Sequence, residues 1–336
     1  MKRIIFAICT LLCANVLLAQ EPLAVLRHND SISVFYGQTA FKQAYNAATH
    51  GDIITLSDGI FSVPDTLRKG ITVRGNGACA DTARRSTGTY FMEQVNIGSL
   101  ADSLQLNVEG IYLKELYIQN RVYNLNITRC HIGYIRGMQS NNRFKGLNAV
   151  NCIINSGYMS GFSDASWLNY TNCILREIPS FAVCNNCILI GQDYNTSNSS
   201  SGYASYSYIA QYNNCIIRKT NSYIYDTILN QNVINSILIG FTSSDSPASS
   251  GNVAMSLSDV FENWDGASLP TDLETYVLKS SVSDSIQGID GTEVGIFGGF
   301  MPFDWRPSYN IFKRFNVANR TTADGKLSVD IEVISE

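Results

Sequence analysis

Short apolar runs recur along the middle of the chain, and each begins at a similar motif. The motif places asparagine before a small residue and isoleucine after it. It reads VNCIIN at 150–155, TNCILRE at 171–177, NNCILIG at 185–191, NNCIIRK at 213–219 and NSILIG at 235–240, and LNVEGIYL at 106–113 and LNITRCHI at 125–132 align with it. The apolar runs are three to five residues long and rich in β-branched side chains. That composition and length predict short β-strands.

One aligned position marks the repeat. It is occupied by Ile111, Cys130, Cys152, Cys173, Cys187, Cys215 and Ser236, at successive spacings of 19, 22, 21, 14, 28 and 21 residues. The spacings of 14 and 28 together make two units of 21. Units of this length with short strands predict a β-solenoid, in which coil stacks on coil. The alternative, a β-sandwich, would have longer alternating strands joined by Asn-Gly or Asp-Gly turns.

We call the seven residues at this aligned position the landmark residues. The residue before each landmark indicates how the chain bends. These residues are Gly110, Arg129, Asn151, Asn172, Asn186, Asn214 and Asn235. Glycine and asparagine tolerate the left-handed backbone region that most residues avoid. We therefore expect a sharp bend at this position, followed by a short strand whose first residue points inward.

The two ends of the repeat differ from its middle. Residues 38–49 read QTAFKQAYNAAT and place Phe41, Ala44, Tyr45 and Ala48 on one helical face. An amphipathic helix there would cap the open end of a solenoid, which needs a cover. After Pro302 the pattern changes, and residues 301–336 are expected to form a short C-terminal β tail. The solenoid itself is expected over residues 21–300.

The N-terminal pattern resembles a known superfamily. The helix is followed by GDIITLSDGIFSV at 51–63 and GITVRGNGA at 70–78. This order resembles the start of right-handed parallel β-helices of the pectin-lyase-like superfamily, closely over residues 38–78 and through the coil pattern over 100–300. Residues 289–299 look like a closing coil of such proteins. The resemblance implies an all-β, right-handed parallel β-helix and does not fix an activity, because the superfamily hosts lyases, hydrolases, esterases and non-catalytic proteins.

The first 20 residues have the features of a secretory signal peptide. Lys2 and Arg3 precede an apolar run from Ile4 to Ala19 that is short for a membrane span. The run ends in LLAQ and resembles the leaders of exported Bacteroidota proteins. We therefore expect export to the periplasm, the outer cell surface or the medium, and no spanning segment elsewhere.

Charge limits the classes of partner. Loss of Lys2 and Arg3 with the leader reduces 24 basic residues to 22 against 28 acids, and the formal net charge changes from −4 to −6. Nucleic acid is therefore not an expected partner, because its phosphates require a basic surface. Only 15% of residues are charged. The remaining polar residues are mostly neutral, which suits contact with carbohydrate or plain solubility after export.

The cysteines are expected to be buried thiols. Seven follow the leader, and this odd number cannot pair completely within one chain. Most lie inside apolar runs, where free cysteine behaves as a small hydrophobic residue. Cys184 and Cys187 have metal-ligand spacing, but no second pair accompanies them as a structural zinc site would require. No metal site is predicted from the cysteines.

Catalytic residues are weakly indicated. The clustered carboxylates of polygalacturonases and the Trp-x-Asp-His signature of pectate lyases are both absent from the sequence. Arg129 and His131 flank Cys130 and are the candidates for a base beside a carboxylate-binding arginine. A solvated pair on an ordinary coil is the competing interpretation, and the chain is expected to lack catalytic activity. Asp290 and Glu293 offer oxygen ligands for Ca²⁺, although a glycine-rich turn also explains them.

Tyrosines mark the predicted ligand surface. Between positions 194 and 225 they stand among serine, asparagine and glycine, and the candidates for stacking on sugar rings are Tyr203, Tyr206, Tyr208, Tyr212, Tyr223 and Tyr225. A tyrosine offers a flat apolar face and a polar tip, which suit that contact. A stacked aromatic row that only stabilises the solenoid is the alternative.

A second motif predicts modification. Aspartate, then serine or threonine, then Ala, Ile or Leu occurs six times, with the hydroxyl residue at Ser31, Thr66, Thr82, Ser103, Thr227 and Ser285. The motif resembles the O-glycosylation sequon of exported Bacteroidota proteins, so we expect O-glycans at several of these residues.

Taken together, these features favour an exported, non-catalytic β-helix protein that binds or displays carbohydrate. A diverged polysaccharide lyase or glycoside hydrolase is one alternative. A structural or adhesive solenoid that docks a protein partner is another. Ligand identity and oligomeric state stay open at the level of sequence.

Overall fold

A computed structural model describes residues 21–81, 86–119, 122–137, 146–158, 168–176, 182–190, 211–218, 233–241, 250–264, 276–306, 311–317, 326 and 329–334. Its strands are β1 (Leu23–His28), β2 (Ser31–Tyr36), β3 (Ile53–Leu56), β4 (Gly59–Ile60), β5 (Thr72–Arg74), β6 (Thr89–Ile97), β7 (Leu106–Glu109), β8 (Tyr112–Ile118), β9 (Leu125–Thr128), β10 (His131–Gly137), β11 (Leu147–Val150), β12 (Ile153–Ile154), β13 (Gly157–Tyr158), β14 (Leu168–Thr171), β15 (Ile174–Leu175), β16 (Ala182–Asn185), β17 (Ile188–Leu189), β18 (Gln211–Asn213), β19 (Ile216–Arg218), β20 (Val233–Ile234), β21 (Ile237–Ile239), β22 (Val253–Met255), β23 (Ile311–Val317) and β24 (Val329–Ile334). Its helices are α1 (Ala40–Ala47), α2 (Leu257–Val260) and α3 (Ser280–Ser283).

Two long sheets form the body of the described structure. The first, here sheet A, has the strand order β2-β1-β3-β5-β7-β9-β11-β14-β16-β18-β20. The second, sheet B, has the order β22-β21-β19-β17-β15-β12-β10-β8-β6-β4, with β13 beside β10. From β3 onward the strands within each sheet pair in parallel. Successive strands alternate between the two sheets over most of the chain, so that a coil contributes one strand to each sheet. This arrangement is consistent with the predicted β-solenoid.

The predicted bends lie between the two sheets. All seven residues that precede a landmark have positive φ, including 65° at Gly110, 54° at Arg129 and 49° at Asn172. The landmark side chains behind them are at most 2% exposed. Both parts of the prediction, a left-handed bend and an inward residue after it, are therefore confirmed. Asparagine suits the bend because its backbone enters this region at low cost.

The buried sulfur atoms hydrogen-bond weakly to the backbone. The Cys173 thiol lies 3.3 Å from the carbonyl oxygen of Thr171 and 3.4 Å from that of Ala149, one coil earlier. Ser236 places a hydroxyl at the equivalent position, where it donates to the Ile234 carbonyl at 2.9 Å and accepts from the Cys215 amide at 2.9 Å. A small side chain with one donor satisfies this site, which explains why serine can replace cysteine there.

The strands at the N-terminal end of sheet A pair antiparallel. Strand β1 pairs with β2 on one side and with β3 on the other, both antiparallel. Helix α1 lies within the predicted range of 38–49 and buries Phe41, Ala44 and Tyr45. Phe41 stacks on Phe91 of sheet B with ring centroids 4.9 Å apart. The apolar helical face read from the sequence is therefore the face that packs on the core.

The C-terminal region lies along the outside of the coils. Residues 287–303, here the C-terminal strap, add no strand to either sheet and contact the bend residues in reverse chain order. The contacts pair Ile289 with Asn214, Glu293 with Asn186, Ile296 with Asn172, and Pro302 with Asn151. The resemblance of residues 289–299 to a closing coil was therefore misleading. The glycines of the strap let its backbone lie close to the coils, and the strap does not form another coil.

Beyond the strap, β23 and β24 pair as an antiparallel two-stranded sheet within the region predicted as a β tail. The predicted leader, residues 1–20, lies outside the described residues. Within the described part of the chain, none of the helices has the length and apolar character that crossing a bilayer requires.

Candidate functional site

One outward-facing column of side chains on sheet B is aromatic in the earlier coils and aliphatic in the later ones. The parallel register places Ile60, Tyr90, Tyr112, His131, Ile153, Ile174, Ile188, Ile216, Ile237 and Val253 next to one another in successive coils. The later isoleucines, Ile174 to Ile237, are at most 2% exposed although they point away from the solenoid interior. The earlier members Tyr90, Tyr112 and His131 are half-buried.

The C-terminal strap and the segment before it cover the buried isoleucines. They form a second hydrophobic cluster with the strap and the segment before it, including Phe261, Trp264, Tyr276, Val294 and Ile296. A Cβ on Gly295 of the strap would lie 2.7 Å from the Cδ1 atom of Ile216. Burial of each isoleucine contributes about 1.5–3 kcal/mol relative to exposure. The strap thus belongs to the folded core and, among the described residues, covers the isoleucine half of the column.

The aromatic half is a continuous row of rings. The ring centroids of Tyr90 and Tyr112 are 5.6 Å apart with planes inclined by 48°. Tyr112 and His131 are 5.1 Å apart in an edge-to-face arrangement. Both distances fall in the range in which aromatic pairs attract each other. Residues from three different coils therefore hold one another in place and present an ordered aromatic surface.

A polar group continues the same face toward the far ends of the strands. The Arg136 guanidinium lies 2.6 Å from the Glu115 carboxylate, donates to Gln94 at 2.7 Å, and stacks on the Tyr117 ring at 4.6 Å. These residues come from β6, β8 and β10, the strands that also carry the aromatic row. We call the outward side chains of these three strands the aromatic face.

His131 is held in a neutral state. Burial lowers the pKa of its imidazole, an effect strengthened by the charge of Arg176 and partly opposed by the Asn155 side chain. Its Nδ1 atom lies 3.9 Å from the Cys79 sulfur. Burial also raises the pKa of the Cys79 thiol. The pair is therefore a neutral thiol beside a neutral imidazole at neutral pH, and both groups add apolar area to the aromatic face.

The expected pairing of Arg129 with His131 is not what the structure presents. Arg129 occupies the left-handed bend, and its guanidinium donates to Glu109 of sheet A at 3.2 Å. His131 begins β10 of sheet B and contacts Tyr112. The bend between the two residues turns their side chains toward different partners. The arginine on the strand of His131 is Arg136, five residues and about 16 Å further along an extended chain.

The predicted tyrosine surface requires a correction. Tyr212 is 2% exposed and lies in the solenoid interior, where β18 places it between Cys184 and Val233 in the neighbouring coils. It is therefore unavailable for stacking on a sugar. Tyr203, Tyr206, Tyr208, Tyr223 and Tyr225 lie outside the described residues.

Of the four predicted modification sites that the structure describes, three are exposed. Ser31, Ser103 and Ser285 are exposed, and Thr66 is half-buried. The Thr66 hydroxyl donates to the Asp65 carbonyl at 2.8 Å, and the Ser285 hydroxyl donates to the Ser281 carbonyl at 2.5 Å. Thr82 and Thr227 lie outside the described residues.

The candidate metal ligands have other roles in the described structure. The Asp290 carboxylate accepts from the amide and hydroxyl of Thr292, at 3.1 and 2.8 Å, and closes a turn of the strap. Burial raises the pKa of Glu293. All seven cysteines after the leader are described and are free, and Cys184 and Cys187 are fully buried as predicted. No group of three or more potential ligands is placed to hold a metal ion among the described residues.

Sequence reasoning missed Tyr90 and Tyr112. Their relation to His131 depends on the register of three parallel strands whose sequence spacing is irregular: β6 contains a register shift between Phe91 and Gln94. The available signal was the alignment of Tyr112 with His131, each directly after a landmark residue.

Comparison of the chain with protein-family models, with curated proteins and with solved structures finds no match in any of the three.

Proposed function

We propose that this chain is an exported right-handed parallel β-helix, capped by α1, that binds carbohydrate through the aromatic face of sheet B. Residues 301–336 are the C-terminal tail of the same protein. The proposal rests on one observation, the half-buried row Tyr90–Tyr112–His131 at the place where the strap no longer covers the column.

Sugar rings suit this surface for a physical reason. The C–H faces of a pyranose pack on aromatic rings, and its hydroxyls need hydrogen-bonding groups at the edge of the contact. The aromatic row supplies the first, and Gln94, Glu115 and Arg136 supply the second on the same strands. Enrichment in aromatic and arginine side chains is also characteristic of binding surfaces in general.

The leader predicted over residues 1–20 and the O-glycosylation motif both favour export. An exported chain would meet polysaccharides of the cell surface or the medium. Carbohydrate is therefore the partner we propose, in preference to nucleic acid, which the net charge of −6 after leader removal disfavours.

Affinity electrophoresis in gels that contain single polysaccharides tests the proposal. The wild-type chain should be retarded by at least one polysaccharide of a broad panel. Tyr112→Ala should reduce the retardation, because it removes the central ring of the row, with an expected loss of about five- to tenfold in affinity. Tyr36→Ala is the matched control, since Tyr36 is 62% exposed on β2 of the other sheet.

If Tyr112→Ala leaves the retardation unchanged, the carbohydrate binds at a surface other than the aromatic face. Absence of retardation on every gel would count against carbohydrate binding and favour the alternative of a solenoid that docks a protein partner.

A catalytic role has one observation in its favour. His131 is neutral at physiological pH because burial lowers its pKa, and neutral imidazole is the form that accepts a proton. Incubation with uronate polysaccharides and measurement of unsaturated products by ultraviolet absorbance would detect lyase activity. Turnover that His131→Ala abolishes would replace the binding proposal with an enzymatic one.

A further inference from the structure

The most accessible of the described thiols lies beside an imidazole. Among the described cysteines Cys79 alone is half-buried, and the other six are buried. Its sulfur lies 3.9 Å from Nδ1 of His131, 52 residues later in the chain, which is within reach of a hydrogen bond to sulfur. The thiol that a small molecule can approach is therefore also a thiol with a base next to it.

The backbone around Cys79 is tied to its neighbours on both sides. The amide of Gly77 donates to the Gly110 carbonyl at 2.9 Å. Asp81 and Ser86 exchange two backbone hydrogen bonds, at 2.9 and 3.0 Å. Cys79 therefore lies between two fixed points of the backbone, each two residues away, and its thiol has a defined position beside the aromatic face.

Two side chains hold the imidazole of His131. The Tyr112 ring packs edge-to-face against it, with centroids 5.1 Å apart. The Asn155 side chain hydrogen-bonds to it, and this contact partly opposes the lowering of the His131 pKa by burial. The backbone amide of Asn155 donates to the Ile132 carbonyl at 2.9 Å, which fixes Asn155 next to β10. A thiol, a base and a residue that orients the base are the three parts of a nucleophilic site.

The protonation states suit an attack that a base assists. Burial raises the pKa of the Cys79 thiol, so the sulfur carries its proton at neutral pH. Burial and the charge of Arg176 lower the pKa of His131, so the imidazole is neutral and can accept that proton. A protonated thiol reacts slowly by itself. Its reaction with a carbonyl group therefore depends on transfer of the proton to His131 as the sulfur attacks.

We propose that Cys79 and His131 form an acyl-transfer site that hydrolyses esters. The sulfur bonds to the carbonyl carbon of the ester while its proton passes to Nδ1 of His131. The bond from that carbon to the alcohol oxygen then breaks, the alcohol leaves with the proton from His131, and the acyl group stays on Cys79 as a thioester. Water, deprotonated by His131, attacks the thioester and releases the carboxylic acid and the free thiol.

The substrate class is an acyl ester on a sugar hydroxyl. This part of the inference rests on the proposed carbohydrate-binding function, because the rings of Tyr90 and Tyr112 lead directly to His131. Burial raises the pKa of Tyr90 and a charge on Cys79 raises it further, so the phenol and the thiol lie near each other. A sugar stacked on the two tyrosines lies beside the thiol, which can then reach an acyl group on one of its hydroxyls.

The first test uses para-nitrophenyl acetate, an ester whose reaction does not require carbohydrate binding. We expect rapid release of one nitrophenolate per chain, followed by slower turnover. Mass spectrometry of the acid-quenched protein should place a single acetyl group on Cys79. Cys79→Ala should abolish the rapid release, and His131→Gln should slow it by about a hundredfold or more, because the base is lost while the thiol remains.

Cys173→Ser is the matched control for loss of a thiol. It removes a buried sulfur at a landmark position, where the chain itself has Ser236, and it should keep the rapid release. The acetyl group is located in the wild-type chain, so this result does not depend on whether any variant folds. Acetylation of Cys79 at the same rate in His131→Gln, or acetyl groups on lysines alone, would overturn the inference.

The second test concerns the substrate class. The chain is incubated with O-acetylated xylan and the released acetate is measured, while affinity electrophoresis in the deacetylated xylan measures binding. Acetate release that Cys79→Ala abolishes supports the sugar ester. Rapid release from the aryl ester without acetate from any acetylated polysaccharide of a panel overturns that class. Retardation without rapid release overturns acyl transfer alone, whereas rapid release without retardation on any gel overturns carbohydrate binding and leaves the acyl-transfer site.

Discussion

The side-chain amide of Asn172 donates a hydrogen bond of 2.8 Å to the carbonyl oxygen of Ile296, 124 residues later in the chain. The same amide also donates to the carbonyl of Gly298 at 2.7 Å. One asparagine therefore performs two tasks, since its backbone makes the bend and its side chain holds the strap.

Asn172 variants separate these two tasks. Asn172→Gly keeps the left-handed bend and removes the two hydrogen bonds, with an expected loss of about 1–3 kcal/mol in the free energy of unfolding. Asn172→Ala adds the cost of a left-handed backbone, about 1–2 kcal/mol more. Urea unfolding followed by circular dichroism measures both. Asn148→Ala, at an exposed strand position, should change stability by less than about 0.5 kcal/mol. Equal midpoints for the glycine and alanine variants would contradict the account.

Gly295 tests the contact between the strap and the isoleucine column. Its φ is +84°, and an added Cβ would lie 2.7 Å from Ile216. Gly295→Ala should therefore loosen the strap, and limited proteolysis should cut residues 287–303 faster than in the wild type. Gly291→Ala is the matched control because φ is +75° there and no atom lies within 4 Å of the added Cβ. If both variants were equally sensitive to protease, backbone strain alone would be responsible.

Thiol reactivity tests the burial of the cysteine stack. Cys79 is half-buried, while the other six cysteines after the leader are buried. A thiol reagent should modify no more than Cys79 in the native protein, and slowly, because burial raises the pKa of that thiol. All seven should react in denaturant. Cys79→Ser should abolish native labelling, and native labelling of several thiols would contradict the stacked arrangement.

His131 should make stability depend on pH. Its pKa is lowered in the folded state from an ordinary value of 6.5, so the unfolded chain binds more protons below that value. Stability should therefore be highest above pH 6.5 and fall as the pH decreases through the folded-state pKa. His131→Gln should remove this part of the dependence, measured as the difference in urea midpoints between pH 8 and pH 5. An identical pH profile for the two proteins would exclude the effect.

O-glycosylation is tested on material from the native host. Ser31, Ser103 and Ser285 are exposed, and we expect intact mass to exceed that of the polypeptide without its leader. Replacement of all three serines by alanine should remove part of the excess. A mass equal to that of the bare polypeptide would refute the prediction.

The bends and the two long sheets of short parallel strands were predictable because their signals are local. Asn151, Asn172 and Asn214 each mark a left-handed residue by type alone, and an apolar residue follows within the same few positions. The strap was not predictable in the same way. Its glycines near Gly295 have meaning only beside Ile216, a residue almost 80 positions earlier.

The error at Tyr212 has a simple cause. Tyr212 stands three residues before the landmark Cys215, and Tyr170 and Cys184 stand three residues before their own landmarks. All three are buried. The density of tyrosines in that segment suggested a surface, but the position within the repeat decides which way each side chain points.

Because the strap runs back along the coils, the length of the strap must match the number of coils that it crosses. Each contact joins one strap residue to one coil: Glu293 with Asn186, Ile296 with Asn172, and Pro302 with Asn151. Duplication or deletion of a coil would shift every later asparagine by about 4.8 Å relative to its strap residue. Simple repeat proteins change length freely, but this chain can gain or lose a coil only with a compensating change more than a hundred residues away, which fixes the number of its repeats.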